Sequence, residues 1–427
     1  MKMLKSLAIA FLSTLMILRA AEPKKGEVIH DLKIGDPAPN FALPGIDGKT
    51  HALTEYDKAK LLMVAFISNH CPDSHAAESR IKKLVQDMKG KSFTLVAINP
   101  NNPDGLSIDE LGYSKYNDGF EDMKKYAAEA GFNFPYLYDG EKQAAAQAYG
   151  CLATPHVFLF DAERRLRYKG QFDDSHLEDA ATVKSPDARN ALEALLAGKP
   201  VPIEVTKPHG CSTKWLSKKG GIAAQTEKWD KTPVEVTMID SAGVSALRKN
   251  GTKNVRLFNV WATWCIPCVA EFPELVKTAR KFDMREFEFI SISVDEPKET
   301  AKVKAFLEKR GAGLSGRGKA ALKAEGRPTN SYIFSGGEMS DLMKVLDPEW
   351  PGGAHTRFSS GRMAELFGVT MDRSMERNFG RKWSSIWGRF IRSRNCVWIL
   401  DRLRISPDLP FICNHCTAFS PSYDPVS

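Results

Sequence analysis

Two cysteines three residues apart, Cys265 and Cys268, stand where the sequence changes from an apolar run to a helical pattern. The run VRLFNVWA predicts a buried strand, and CVAEFPELVKTARKF predicts the helix that follows it. Unpaired N–H groups and the positive end of the helix dipole stabilise a thiolate at that position. Cys265 is then the exposed nucleophile, and Cys268, one turn inward, attacks the mixed disulfide. Pro267 is compatible with a first helical turn, because its missing N–H has no partner there.

A zinc half-site or a static disulfide is the alternative for this pair. Zinc would need a second pair of ligands at suitable spacing in the same segment, and the sequence has none. The pattern therefore predicts a redox-active pair. No metal is expected, and no cofactor either, because no Gly-rich phosphate loop lies between a strand and a helix.

A third cysteine, Cys71 in FISNHCPDSHAAESRI, occupies an equivalent corner between a strand and a helix. Its fourth position is Ser74, so the segment predicts a monothiol site whose corner position lowers the pKa of the thiol. Cys151 and Cys211 are the candidate resolving thiols, the latter in a segment expected to be mobile. Each of these two is equally well explained as a buried or idle thiol.

Strands and amphipathic helices alternate twice along the chain, which predicts an α/β architecture with two tandem domains, each a mixed sheet flanked by helices. An Asp-Gly turn between short apolar runs predicts a hairpin at the start of the first domain. The predicted domains span 28–215 and 234–353, and a polar, Gly/Lys-rich linker at 216–233 joins them.

The stretch WATWCIPCVAEFP resembles the active site of the TlpA/ResA-type thiol–disulfide oxidoreductases, exported members of the thioredoxin superfamily. Trp264 directly precedes the pair within this stretch. Asn259 replaces the buried aspartate that ordinary thioredoxins carry on the preceding strand. Glu271, three residues after the second cysteine, matches a glutamate of the TlpA/ResA group. The resemblance implies that Glu271 takes or gives the proton of the exchange; a solvated first-turn acid is the alternative.

The first domain resembles the redoxin or AhpC/TSA-like family. The resemblance implies that Thr154-Pro155 is the cis-proline site, which presents backbone groups to the substrate beside Cys71. A true peroxiredoxin has a proline where Val64 stands, although Ser68 fits its motif. The segments that carry the resemblance are NHCP, GDPAPNFALPGIDGK, FPYLYD, AYGCLATPHVFLFD and LAGKPVPIEVTKPHGCSTKW.

The second domain has no such proline where one is due, at WPGGAHTRFSSGR. After Gly353 the sequence carries ten Arg and one Lys, and no strand with clean alternation. An adjacent reading frame permits a proline, two strands and a helix start in the required order. We therefore predict a frameshift near Ala354, a truncated second domain and an irregular or disordered tail at 354–427. On this interpretation the CNHC of Cys413–Cys416 is accidental.

The first 21 residues have two lysines, an apolar stretch and a small-residue exit, which predicts a secretory signal peptide and a periplasmic or secreted protein. Membrane attachment is expected only if that segment is an uncleaved anchor. The net charge of +8 forms no basic stripe with interleaved aromatics, so nucleic acid is not an expected partner.

Protein disulfides or thiols are the expected partners, with a membrane-bound thiol donor as a further one. The predicted function is thiol–disulfide exchange, impaired if the second domain is incomplete. The alternatives are a thiol peroxidase in which the second domain reduces the first, and a non-enzymatic binding protein descended from a redox enzyme.

Overall fold

The computed structural model describes residues 29–346 and 397–401. The predicted signal peptide, the CNHC pair, Cys396 and most of the predicted tail lie outside the described residues. A first α/β unit contains, in chain order, β1 (Ala42–Pro44), β2 (Thr50–Ala52), β3 (Leu61–Phe66), α1 (Pro72–Asp87), β4 (Phe93–Asn99), α2 (Phe120–Ala130), β5 (Tyr136–Tyr138), α3 (Ala144–Tyr149), β6 (Ala153–Thr154), β7 (His156–Phe160), β8 (Leu166–Gly170), α4 (Asp187–Leu196) and β9 (Cys211–Ser212).

The first unit is built on a five-stranded sheet in the order β5-β4-β3-β7-β8. β3, β4 and β5 are parallel, whereas β7 and β8 run antiparallel to their neighbours. Every residue of β3 is buried, as expected for a central strand covered on both faces, and this is why β3 reads as a continuous apolar run. The hairpin predicted at the Asp-Gly turn is the antiparallel pair β1–β2.

Alternate side chains of β3 enter two separate cores. Met63 and Ala65 pack in one of them, and Leu62, Val64 and Phe66 pack in the other. This alternation follows from the two-residue period of a strand. A shift of one residue would exchange the two sets, so the pattern fixes the register of β3 and the position of the corner at its carboxyl end.

The second unit repeats this plan. Its elements are α5 (Lys219–Asp230), β10 (Thr237–Ile239), α6 (Ser241–Lys249), β11 (Val255–Trp261), α7 (Ile266–Lys281), β12 (Phe287–Ser293), α8 (Thr300–Lys309), α9 (Gly316–Ala324), β13 (Ser331–Phe334), α10 (Met339–Leu346) and β14 (Val397–Asp401). The sheet order is β10-β13-β12-β11-β14. The predicted fold class, two tandem thioredoxin-like α/β units, is thus confirmed.

β11 has the place in the second sheet that β3 has in the first. It pairs in parallel with β12 and antiparallel with β14, as β3 pairs with β4 and β7. The residues that the structure describes include no counterpart of β8 or α4 in this unit.

The prediction of an irregular tail at 354–427 is wrong for residues 397–401, which form β14. This segment, VWILD, is mostly apolar and contains residues of high β propensity. It pairs with the edge of β11 over five residues. An unpaired sheet edge is a template for a further strand. Residues 397–401 show no alternating pattern of their own, so their strand structure comes from pairing with β11.

The polar segment predicted as a linker at 216–233 contains the helix α5, none of whose residues is buried. Contacts near its end attach it to the second unit: Trp229 donates a hydrogen bond to the carbonyl of Gly313 at 2.8 Å, and Asp230 pairs with Arg280 at 2.7 Å. Contacts with distant residues cannot be predicted from the composition of this segment, which is only polar and rich in glycine and lysine.

The two units meet beyond the carboxyl end of α7. The Arg285 guanidinium lies over the Tyr113 ring, 3.7 Å from its centroid. A Cβ on Gly112 would lie 2.7 Å from the carbonyl oxygen of Lys281, so a glycine is needed for this close approach. None of the helices in the described ranges is long and apolar enough to cross a membrane.

Candidate redox sites

Cys71 lies at the corner where β3 leads into α1. Its extended backbone makes it the N-cap residue, and Pro72 opens the helix. The side chain is fully buried. Its sulfur lies 2.9 Å from the Thr154 carbonyl oxygen, to which the thiol donates when it is protonated, and it accepts a hydrogen bond from the Cys211 N–H at 3.3 Å. The predicted corner position of Cys71 is therefore confirmed, and Cys211 lies directly beside it.

The segment that carries Cys211 is held in place by the cis-proline loop. The peptide bond between Thr154 and Pro155 is cis, as predicted. β6 immediately precedes that proline and pairs antiparallel with β9, with Thr154 opposite Cys211. Gly210 has φ of +115°, and a Cβ there would lie 2.1 Å from the Thr154 oxygen. The expectation that Cys211 lies in a mobile segment is therefore wrong, because backbone pairing fixes this segment.

The environment divides the two thiols into a nucleophile and its partner. Burial opposes ionisation of Cys71, but the hydrogen bond from the Cys211 thiol, the charge of His70 and the N–H groups of Cys211 and Ser74 lower the pKa of Cys71 to about 6. The same hydrogen bond to Cys71, together with burial, raises the pKa of Cys211 far above its usual value. Cys71 is thus the thiolate and Cys211 the protonated thiol.

Cys151 has a different environment, within one of the two apolar cores of the first unit. Its thiol donates to the carbonyl of Ala153 at 3.4 Å, and Thr213 donates to its backbone carbonyl at 3.0 Å. Burial raises the pKa of Cys151 to about 12. Of the two candidate resolving cysteines, the structure brings Cys211 to Cys71 and leaves Cys151 a core residue.

A buried ion pair, His70 with Asp118, stands behind Cys71, and the sequence patterns did not reveal it. His70 Nδ1 lies 2.5 Å from Asp118 Oδ2, and both side chains are fully buried. Asp118 also accepts hydrogen bonds from the Asn69 backbone N–H and from the side-chain amides of Asn99 and Asn101. Four donors converge on one carboxylate, which is the arrangement that keeps a buried carboxylate ionised.

This network fixes the charge beside the thiolate. Burial alone would neutralise both groups, but His70 and the amide donors keep the pKa of Asp118 below its ordinary value. In the same way, burial opposes protonation of His70 while the Asp118 carboxylate raises its pKa. The positive charge that results is adjacent to Cys71. Of the two partners, His70 is next to the cysteine in sequence, but Asp118 is 48 residues from His70.

In the second unit, Cys265 is the N-cap residue of α7, and Pro267 belongs to its first turn. A disulfide joins Cys265 to Cys268, with the two Cα atoms 5.3 Å apart. Cys268 is buried and Cys265 is partly exposed. The side chains that flank Cys265 are apolar and open to solvent, with Trp264 66% and Ile266 82% exposed. The predicted pair thus lies at the protein surface within an apolar rim.

Two polar side chains near this pair lack hydrogen-bond partners within the described ranges. They are the buried amide of Asn259 on β11 and one carboxylate oxygen, Oε2, of Glu271 on α7. Glu271 is half-buried, unlike the solvated first-turn acid of the alternative interpretation. Among the described peptide bonds, the only cis one is that before Pro155, and the residues preceding β14 lie outside the described ranges.

The chain was compared with known proteins. The model of the AhpC/TSA family matches residues 34–169 and 235–334. The thiol-disulfide oxidoreductase ResA of Geobacillus thermodenitrificans (strain NG80-2) is 25% identical over 134 residues, which are 31% of this chain and 67% of that protein.

Two solved structures are similar to part of the chain. A hypothetical protein of Sinorhizobium meliloti 1021 is 35% identical, with 44% of this chain and 97% of the other covered and a TM-score of 0.39. An uncharacterized conserved protein of Geobacillus kaustophilus is 37% identical, with 43% and 93% covered and a TM-score of 0.39.

The two stretches that the family model matches make up more than half of the chain, and one falls on each sheet. Each stretch contains a central strand that leads to a cysteine at the start of a helix. The chain therefore belongs to the AhpC/TSA family, and its fold is that of the thioredoxin-like thiol–disulfide oxidoreductases.

Proposed function

We propose that the protein catalyses thiol–disulfide exchange at two dithiol centres, Cys71 with Cys211 and Cys265 with Cys268. One observation carries this proposal: each unit has a cysteine at the N-cap of the helix after its central strand, and a second cysteine in contact with it. In a static role neither the helix N-terminus nor the exposed rim of Cys265 would be needed.

At the first centre the Cys71 thiolate attacks one sulfur of a substrate disulfide. A mixed disulfide forms, and the other substrate sulfur leaves as a thiolate that takes up a proton. Cys211 then loses its proton to solvent and attacks the Cys71 sulfur, which releases the second substrate thiol. The substrate gains two electrons and becomes two thiols, while Cys71 and Cys211 become a disulfide. A dithiol reductant must return those two electrons.

At the second centre Cys265 is the attacking sulfur and Cys268 the resolving one. The apolar side chains of Trp264 and Ile266 border the attacking sulfur, and this favours an extended or unfolded protein segment as substrate. Glu271, on the same helix, exchanges the proton of the pair through the carboxylate oxygen that has no other partner within the described ranges.

The proposed setting is the periplasm or the outside of the cell, with residues 1–21 as the export signal. Thiols of exported proteins, and a membrane-bound thiol donor, are the proposed partners. Protein disulfides form and persist in oxidising compartments, so substrates for thiol–disulfide exchange are present there.

A thiol peroxidase is the second candidate for the first unit, because one observation favours it. Cys71 is fully buried behind the Cys211 segment, so a small oxidant reaches its sulfur more easily than a protein disulfide does. Against it, Val64 replaces the proline of the peroxiredoxin motif.

We expect the reduced full-length protein to accelerate the reduction of insulin by dithiothreitol. The double variants Cys71→Ser/Cys211→Ser and Cys265→Ser/Cys268→Ser should each lose the contribution of one centre, and the quadruple variant should fall to the uncatalysed rate. Cys151→Ser is the matched control, because its thiol is buried but lies in neither centre. Catalysis that survives in the quadruple variant would contradict the proposal, and peroxide consumption that depends on Cys71 would favour the second candidate.

A further inference from the structure

Three side chains from distant parts of the first unit converge beside the Cys71 corner. Asp73 belongs to α1, His176 to the loop between β8 and α4, and His209 to the segment before β9. One ligand atom from each lies within 4.8 Å of the other two. His176 Nδ1 is 2.5 Å and His209 Nδ1 is 3.3 Å from the same oxygen, Asp73 Oδ1.

A hydrogen bond on the side of the ring away from Asp73 fixes the orientation of His209. Its Nε2 lies 2.8 Å from the backbone carbonyl of Asp173, and a carbonyl only accepts hydrogen bonds, so Nε2 carries the proton. The Asp173 carboxylate is in turn held by the Arg80 guanidinium through two contacts, of 2.6 and 2.9 Å. Histidines that bind metals in proteins are oriented in this way, with the second ring N–H donated to a carbonyl or carboxylate.

With the proton on Nε2, the lone pair of His209 Nδ1 points towards the Asp73 carboxylate. Two electron-rich atoms at 3.3 Å need a positive charge between them, which is either an additional proton or a cation. The second imidazole, that of His176, is directed at the same oxygen, with its ring centroid 4.2 Å from that of His209. Two imidazoles and one carboxylate form a ligand set that zinc and similar divalent cations accept.

We propose that Asp73, His176 and His209 form a binding site for a divalent transition-metal cation such as Zn²⁺. The site is open on one side, because the His176 side chain is 65% exposed, whereas those of Asp73 and His209 are 15% and 18% exposed. This gives a cation an entry path and leaves a coordination position for water. Bond lengths of about 2.0–2.2 Å require only small shifts of ligand atoms that already lie within 4.8 Å of one another.

The site also has a structural consequence for the first dithiol centre. Asp73 follows Cys71 by two residues, and His209 precedes Cys211 by two. A cation bound to both would fasten the segment carrying Cys211 to the helix that Cys71 begins. This consequence rests on the proposed function, but cation binding itself does not.

Titration of the oxidised full-length protein with Co²⁺, followed by visible absorption and equilibrium dialysis, tests the proposal. Wild-type protein should bind one equivalent more than His176→Ala or His209→Ala, or bind it about tenfold or more tightly. His51→Ala is the matched control, because His51 contacts two carboxylates, Asp47 and Glu55, without a second imidazole. Its binding should equal that of the wild type.

Equal binding by the wild type and both histidine variants would overturn the proposal and leave the cluster as hydrogen bonds alone. Repeating the titration on reduced protein tests a cysteine site: loss of the same equivalent in Cys71→Ser/Cys211→Ser, with a thiolate-to-cobalt charge-transfer band in the reduced wild type, would overturn the proposal in favour of cysteine ligands. His176→Ala keeps the test independent of folding, because the exposed His176 side chain contributes little to the core.

Discussion

Replacement of Asp118 by alanine is expected to lower the free energy of unfolding of the first unit by about 3–5 kcal/mol, the typical cost of removing one partner of a buried ion pair. The change leaves His70 charged, or its ring N–H unpaired, in a site without solvent access. It also removes the acceptor of the Asn69 backbone N–H and of the Asn99 and Asn101 amides. Hydrogen exchange of peptides from β3 and β4 measures this loss separately from the second unit.

Asp57→Ala is the matched control for this substitution. Asp57 is exposed at the end of a short turn, so its replacement should change the stability by less than about 0.5 kcal/mol. Asp118→Asn retains the shape of the side chain and removes its charge. A loss as small in Asp118→Ala as in the control would show that the network does not support the fold.

The difference in the free energy of unfolding between wild type and Asp118→Ala should also depend on pH. The pKa of Asp118 is lowered, so its charge stabilises the fold above the ordinary value of 3.8, and this contribution is lost as the pH falls through the lower folded pKa. The pKa of His70 is raised, so its contribution is complete below 6.5 and is lost as the pH rises through the higher folded pKa. The difference between wild type and Asp118→Ala should therefore be largest between about pH 4 and 6.5. A difference that grows steadily above pH 7 would contradict this assignment of charges.

Replacement of Cys211 by serine should trap Cys71 in a mixed disulfide with its substrate. The Cys211 backbone N–H lies 3.3 Å from the Cys71 sulfur, so the resolving thiol acts within the molecule. An aligned intramolecular group has an effective concentration far above that of a free thiol, and its loss should slow resolution on the order of 100-fold or more. Mass spectrometry with peptide mapping, after mixing with glutathione disulfide, should show a persistent glutathionyl adduct on the peptide that contains Cys71.

This experiment needs a background in which only the first centre is active. In Cys265→Ser/Cys268→Ser protein, the additional Cys211→Ser change should accumulate the adduct, whereas Cys151→Ser should not. An adduct that resolves equally fast with and without Cys211 would show that another thiol performs this step.

The sequence predicted the fold well wherever local pattern decides it. The apolar run of β3, the helix after it and the cysteine at each corner all follow from short segments, whereas the cis peptide before Pro155 followed from the family resemblance. The helix α5 and the strand β14 did not follow, because contacts with distant residues stabilise them. The same limit applies to the first dithiol centre, where Cys211 is 140 residues from Cys71.

The network of His70 and Asp118 behind Cys71 could not be predicted from the sequence for a similar reason. A histidine before a cysteine and an aspartate 48 residues later are unremarkable singly, and only the fold brings them to 2.5 Å. The converging imidazoles of His176 and His209 are separated from Asp73 by 103 and 136 residues. No spacing rule for metal ligands covers such distances along the chain.

The helix α7 acts as a spacer between the two dithiol centres. Cys265 stands at its first turn, whereas the contact of Arg285 with Tyr113 lies beyond its last, and 16 helical residues span about 24 Å. Cys211 lies on the Arg285 side of this contact, within electrostatic range of that guanidinium. A sulfur atom must come within about 2 Å of another to exchange a disulfide. In this arrangement the two proposed centres of one molecule do not meet, so we expect any reduction of one by the other to be a bimolecular reaction, first order in each of two colliding chains.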